Sequence, residues 1–285
     1  TGCGPFIFEN YDRVAQRVYF KAYKDYFGGK PSVERLIWQQ FKSFDSMLLS
    51  LRKGDIDVFL EYYGPLPPSY AKSLGNAETK LISVPDIGVP AAMVFNCRKY
   101  PMKLKKFREA VAYSLDYDQI LKIVATGQGQ RPTRGFVPPA YPFYKPGLPV
   151  LEQNISKAEE LLDELGFYKS KDGLRRDSQG KTLKMDLLVM GGPRYPRLVQ
   201  AAQILSQQLR RVGIDARPSI MEYLLADMKI FGKRDYDIYL GRFQPLDILA
   251  GCATLLFADS IGNMGTCNDE KLITLAEAFY TARDE

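Results

Sequence analysis

Apolar and polar residues alternate along residues 17–23 (RVYFKAY), the period-two pattern of a half-buried strand. Residues 28–31 (GGKP) turn the chain, because glycine and proline interrupt regular pairing. Residues 33–41 (VERLIWQQF), rich in β-branched and aromatic side chains, predict a second strand. Asp45 then caps a short predicted helix with Met47, Leu48 and Leu51 on its apolar face and Gly54 at its end. Residues 56–60 (IDVFL) return as a strand, and residues 62–68 (YYGPLPP) read as loop.

A second region opens near residues 89–96. Apolar positions at Phe107, Ala110, Val111, Leu115, Ile120, Leu121 and Val124 form a helical stripe. Residues 126–149, with Pro132, Pro138, Pro139, Pro142 and Pro146, lack periodicity and predict a long functional or wrap-around loop. Ser156 to Glu159 reads as a capping box opening a helix that Gly166 closes, with Ala158, Leu161, Leu162 and Leu165 inward. Leu183, Met185, Leu187 and Val189 then alternate on a strand. A Gly191-Gly192-Pro193 turn, a helix over 196–212 and a strand over 214–220 complete a parallel βαβ crossover. Residues 235–240 (DYDIYL) supply one more strand. Asn268 caps a last helix with Leu272, Leu275 and Phe279 inward.

The fold class is therefore α/β, and 285 residues suit about two domains. Hydrophobic residues at 46% and charged residues at 25% match a globular chain, and no apolar run approaches the roughly 20 residues of a membrane span. The absence of histidine excludes a Ser-His-Asp triad, a Cys-His pair and a His-ligated metal. A net charge of +6 is a mild bias. The basic clusters Lys103/Lys105/Lys106/Arg108 and Arg175/Arg176 read as solvated faces, so nucleic acid is not an expected partner. Cys3, Cys97, Cys252 and Cys267 show no CxxC spacing, so no metal site is expected. Cys252 and Cys267 lie close enough in sequence to close a short loop, paired in an oxidising compartment and free thiols in the cytosol.

Three features could carry chemistry. Gly191 to Pro193, with Arg194 and Arg197 beyond it, matches no nucleotide-binding motif and reads as a plain βα turn. The acid pairs Asp55/Asp57, Asp235/Asp237 and Asp269/Glu270 sit at strand edges or a helix start, where acids are ordinary. Residues 239–247 (YLGRFQPLD) place Arg242, Phe243 and Gln244 just beyond a strand, where α/β proteins bind ligands. That segment reads equally as a polar-ligand site or as a surface turn with a packed Phe.

Gly2-Cys3-Gly4-Pro5-Phe6 resembles the GTGPY/F segment of ABC-transporter extracellular solute-binding proteins, family 5, the peptide- and nickel-binding class. Residues 25–31 (DYFGGKP), 51–58 (LRKGDIDV), Phe95-Asn96 with 107–111 (FREAV) and 114–116 (SLD), 161–167 (LLDELGF) and Gly213-Ile214-Asp215 resemble further motifs in that family's order. The resemblance covers essentially the whole chain. It implies a bilobal Venus-flytrap (type II periplasmic-binding) architecture with mixed sheets and an incomplete first lobe. Residues 1–92 would be a lobe I segment and 93–285 most of the second lobe, in a chain that is a fragment.

The function so implied is capture of a small polar solute or peptide by lobe closure and delivery to a membrane permease with its ATPase. It needs no catalysis and no cofactor, and places the protein in the periplasm or tethered outside the membrane. The implied ligand-binding residues are Tyr239, Arg242, Phe243, Gln244 and Asp247, faced by Tyr62 and Tyr63, with a hinge at Phe95 and Asn96. Pro245 stands where the peptide binders carry an aspartate for the peptide's amino group, and Arg242 where they usually carry Trp. For an exported protein the resemblance implies a Cys252–Cys267 disulfide, with Cys3 and Cys97 as buried thiols. It further implies that the first lobe, lacking strand partners, self-associates or stays mobile. Two rivals remain: a cytoplasmic ligand-sensing domain of a transcription regulator with this fold, and a carboxylate-dependent hydrolase.

Overall fold

The computed structural model describes residues 2–59, 74, 89–124, 127, 130–133, 144–190, 196–243, 265 and 269–282. The chain divides into two compact units, Thr1–Ser83 and Val84–Glu285.

The first unit holds a three-stranded antiparallel sheet of β1 (Phe6–Asp12), β2 (Arg17–Ala22) and β3 (Arg35–Gln39), in that order. The alternation at 17–23 predicts β2, and the β-branched and aromatic run predicts β3. β1 escapes the pattern because the polar run Glu9-Asn10 interrupts it, where the register shifts between Phe8 and Asn10. Phe8 lies opposite Phe20, and Val18 opposite Trp38, so the apolar side chains share one face. The rings of Phe8 and Phe20 meet edge-on at 6.1 Å, and those of Phe20 and Trp38 at 6.2 Å.

Helix α1 (Phe44–Lys53) follows, ended by Gly54 in the left-handed conformation. Its N-cap is Ser43, whose hydroxyl accepts from the Ser46 amide; Asp45 falls in the first turn instead. Met47 and Leu48 are buried with Leu74, and Ile56 and Phe59 pack against them. Residues 56–59 are not a strand: Ile56 and Phe59 pack beside α1, Val58 is exposed, and no described strand pairs with them.

The second unit is built on a four-stranded mixed sheet, ordered β4 (Val89–Phe95), β9 (Ile238–Phe243), β7 (Lys184–Met190), β8 (Asp215–Met221). β7 runs parallel to both β8 and β9, and β4 is antiparallel to β9. One face carries Met185, Leu187, Val189, Ile238 and Leu240 into the main core. That core also takes buried residues from α2 (Lys105–Ser114), α4 (Ile155–Glu164) and α5 (Pro196–Arg211). The opposite face carries Leu188 and Tyr239 into a second cluster with Ala226, Ile230 and Tyr236. These last belong to α6 (Tyr223–Asp227), the π turn Met228–Gly232 that follows it, and the approach to β9. Covered faces explain why residues 185–189 are apolar at nearly every position.

The helical stripe over 107–124 is two helices, α2 and α3 (Tyr117–Val124). Leu115 turns extended, and the Asp116 carboxylate accepts from the Gln119 amide to start α3. The cap of α4 is Asn154 rather than Ser156, and that of α7 (Glu270–Thr281) is Asp269 rather than Asn268. Leu272 and Leu275 of α7 are exposed rather than inward, and Ala276 is buried.

Arg175 overturns its solvated reading. It lies on the short hairpin β5 (Tyr168–Lys169)–β6 (Arg175–Arg176) and is 2% exposed. Its guanidinium donates to the carbonyls of Glu159, Phe167 and Val212 and pairs with Asp163. A cation is thereby fixed near the C-terminal ends of α4 and α5, where the helix dipoles favour positive charge. Gly213, at φ 90°, makes room: a Cβ there would stand 2.7 Å from Arg175 Cγ.

Candidate functional site

The strand parallelism of the second unit defines two ends of its sheet. β7, β8 and β9 finish at Met190, Met221 and Phe243 on the end where β4 begins at Val89. From β7 the chain passes to β8 on one side and returns to β9 on the other, so the strand order reverses at β7. Open α/β sheets place ligands beyond the carboxyl ends of strands at such a reversal. Arg242 and Phe243 close β9 at that end, with Phe243 in register with Val89. Gln244, Asp247, Tyr62 and Tyr63 lie outside the described residues, as do Gly191 to Pro193, Pro245, Cys252 and Cys267.

Tyr239 is buried on the face opposite the main core, its ring edge-on to Tyr236 at 6.4 Å. Its phenol folds along the strand over Gly241, where a Cβ would stand 1.9 Å from the Tyr239 oxygen. Only glycine at 241 admits this close approach. Tyr236 is 1% exposed, and among the described residues its hydroxyl has no hydrogen-bond partner. Burial pushes that phenol up to about 12, so it stays neutral.

The opposite end of the sheet is closed by polar contacts. Asn96 is buried; its amide donates to the carbonyls of Arg234 and Tyr236 at 2.9 Å each, and its side-chain oxygen accepts from the Arg98 amide. Phe95 packs half-buried against the main core. The Cys97 thiol lies 3.7 Å from the Phe95 carbonyl, half-buried, whereas Cys3 is exposed rather than buried.

Asp235 and Asp237 both pair with the Lys99 ammonium, at 3.1 and 3.2 Å, and Asp237 also accepts from the Asp186 amide. Burial works to lower Lys99, but the two carboxylates overcome it and hold the ammonium above its ordinary value. The hydrogen bond from Lys99 holds Asp235 below the usual carboxylate range. Burial raises the Asp186 carboxyl, against the pull of Lys229 at 3.7 Å. The acid pair at 235 and 237 is thus committed to structure. Asp269 likewise serves as the cap of α7.

Arg197, in the first turn of α5, is half-buried and donates to the Val124 carbonyl at 3.2 Å. Burial alone lowers it. Sequence patterning read Arg175 as solvated and did not single out Tyr236, because neither a buried arginine nor a buried phenol disturbs hydrophobic periodicity. Among the described residues, no group of three or more Cys, Asp or Glu could hold a metal ion. Nor is any described helix long and apolar enough to cross a membrane.

The family model of bacterial extracellular solute-binding proteins, family 5 (middle portion), matches residues 1–248. The chain belongs to this family. A family 5 relative from Escherichia coli K12, named dipeptide-binding protein, is 24% identical over 216 residues, 76% of this chain and 37% of its own. The oligopeptide-binding protein AppA of Bacillus subtilis is 25% identical over 224 residues, 78% of this chain and 40% of its own. The chain therefore spans about two fifths of the length of these relatives. A periplasmic oligopeptide-binding protein from Thermotoga maritima superposes with a TM-score of 0.82 at 24% identity, covering 99% of this chain and 56% of that one. The fold is the α/β fold of family 5 binding proteins.

Proposed function

We propose that this family 5 chain is part of the substrate-binding subunit of an ABC importer. It captures a small polar solute outside the cytoplasm and presents it to a permease driven by an ATPase. The family match over residues 1–248 carries this reading. The strand-order reversal at β7 supports it, because it aims the ends of β7 and β9 at one crevice. Capture proceeds by closure without catalysis. The segment to about residue 92 and the segment from about 93 act as the two sides, with Phe95 and Asn96 at the hinge.

Tyr239, Arg242, Phe243, Gln244 and Asp247 form one wall, with Tyr62 and Tyr63 on the other. With Pro245 in place of the amino-binding aspartate, a zwitterionic peptide would leave its ammonium without a partner, at a cost of several kcal/mol. Arg242 offers a fixed positive fork to a carboxylate, phosphate or polyhydroxy ligand. The preferred solute is anionic or neutral and polar.

Native mass spectrometry and calorimetry of the longest polypeptide encoded at this locus, against peptide, acidic-solute and oligosaccharide pools, test this. We expect one solute bound 1:1 and recovered chemically unchanged, with ordinary di- and tripeptides weak. Turnover of the solute would overturn the reading. Tight peptide binding that survives Arg242→Ala and is lost in Asp247→Ala would overturn the specificity.

A further inference from the structure

Helix α6 and the π turn that continues it form one helical segment over residues 223–232. Ala226 and Ile230, four positions apart, are buried against the sheet with Leu188, Tyr236 and Tyr239. Leu224 and Met228, also four apart, fall on the opposite side of the helix and are 68% and 59% exposed. Leu225, 62% exposed, and Tyr223, 45% exposed, flank them. A surface helix ordinarily turns polar side chains outward, and a helix that is apolar all round is a buried one. α6 is apolar on both sides and covered on one. The four side chains leave roughly 400–500 Å² of apolar surface in water, the size of the largest patch on a typical monomer and one that often marks a contact site. The patch is fixed from beneath, because Ile230 is buried and Lys229 pairs with Asp186 of β7 at 3.7 Å.

We infer that this outer face of α6 is an interface between two copies of the protein, packed about a two-fold axis. Charge selects a second copy. Glu222 precedes the apolar run and Lys233 follows it, both exposed. An antiparallel crossing of α6 with its own copy sets Leu224 on Met228 and turns Glu222 of each copy toward Lys233 of the other. The face is then complementary to itself, as an isologous contact requires. A lipid surface would call for a basic rim, which Glu222 and Asp227 oppose. Area agrees: two facing patches with their polar rims bury about 1,200 Å², the lower end of specific interfaces. Association at that size is reversible, with a Kd of roughly 10–100 µM. The inference is independent of which solute is bound.

Sedimentation velocity and native mass spectrometry of the longest polypeptide encoded at this locus, over about 1–200 µM, test it. We expect a monomer–dimer equilibrium within that range. Leu224→Lys combined with Met228→Lys should weaken association roughly ten-fold or more. The same double variant should leave the melting temperature of the dilute monomer unchanged, since both positions are already in water. Glu222→Lys and Lys233→Glu should each weaken association alone, and an equimolar mixture of the two variants should favour the heterodimer over either homodimer. Four results would each overturn the inference. The protein could stay monomeric throughout the range, or form a dimer that the Leu224→Lys, Met228→Lys variant leaves intact. The two charge variants could mix at random. Last, the dilute monomer of the double variant could melt several degrees lower, which would mean that the protein's own chain covers the face.

Discussion

Two sheets in one chain meet opposite fates. In the second unit, Leu187, Leu188 and Val189 are successive residues on both faces of β7, and each is fully buried. In the first unit, Phe8 and Trp38 stand on the more apolar face of a sheet and remain more than half exposed. The first sheet is held by local antiparallel pairing and edge-on aromatic contacts. The second gathers strands separated by up to about 150 residues in sequence and gains its stability from apolar burial on both sides. Pairing defines a sheet, and packing on its faces decides how stable it is.

That contrast predicts the largest effect. Leu188→Ala or Leu187→Ala should cost about 2–5 kcal/mol, the range for emptying a packed core position. Phe8→Ala in the 285-residue chain should cost under about 1 kcal/mol, because its ring is already largely in water. Denaturant unfolding followed by hydrogen exchange separates the units. Equal losses at the two positions would mean that the first sheet is as well packed as the second.

Arg175 gives the next effect. Arg175→Met should destabilise the second unit by about 3 kcal/mol, since three backbone carbonyls lose a buried charged donor. Arg175→Lys should recover little of this, because a single ammonium cannot reproduce the planar fork. The first unit, which has no comparable buried ion among its described residues, should be untouched. Unit-resolved exchange protection reads both.

Much of this architecture was legible beforehand, for definite reasons. The βαβ crossover was readable because Leu183, Met185, Leu187 and Val189 alternate, Leu198, Ala201, Leu205 and Leu209 recur at helical spacing, and Gly213 punctuates the end. Helix starts were misplaced by one or two residues because Ser43, Asn154 and Asp269 each sit beside another residue able to cap. Residues 56–59 have strand composition, but Ile56 and Phe59 settle against α1 and Val58 faces solvent. The candidate site was legible only as a place, the end of β9. That Asp235 and Asp237 are bound to Lys99 depends on contacts between segments distant in sequence. No local pattern encodes those contacts.

The Tyr239–Gly241 contact carries the comparison to the carboxyl end of β9. Gly241→Ala should cost about 1–3 kcal/mol, because the buried Tyr239 ring has nowhere to withdraw from a new Cβ. Tyr239→Ala relieves the clash, so the double variant should be more stable than the sum of the two losses implies. A strictly additive double-mutant cycle would show that the strand yields instead. Glycines of the first unit, such as Gly4 with open space around its Cα, should tolerate alanine within about 0.5 kcal/mol.

The smallest effect belongs to the opposite end of the second sheet, where Lys99 holds Asp235 and Asp237. Asp235 titrates below its ordinary value in the folded chain because Lys99 hydrogen-bonds to it. Its contribution is therefore complete above the unfolded carboxylate value, about 4, and is lost as pH falls through the lower folded value. Lys99, held above its ordinary value, contributes fully until pH rises past about 10.4. Both side chains are well solvated, at 37% and 61% exposed, so the pair is worth less than about 1 kcal/mol at neutral pH. Lys99→Met should flatten the acid limb of the stability curve between pH 5 and roughly pH 3 by that amount. The ion pair of the first unit, Arg35 with Glu9, is longer at 3.9 Å and its arginine is 74% exposed. Arg35→Met should leave the same limb unchanged within error. An acid limb that responds to Arg35→Met as strongly as to Lys99→Met would show that long-range charge governs it, with no part for the Lys99 contact.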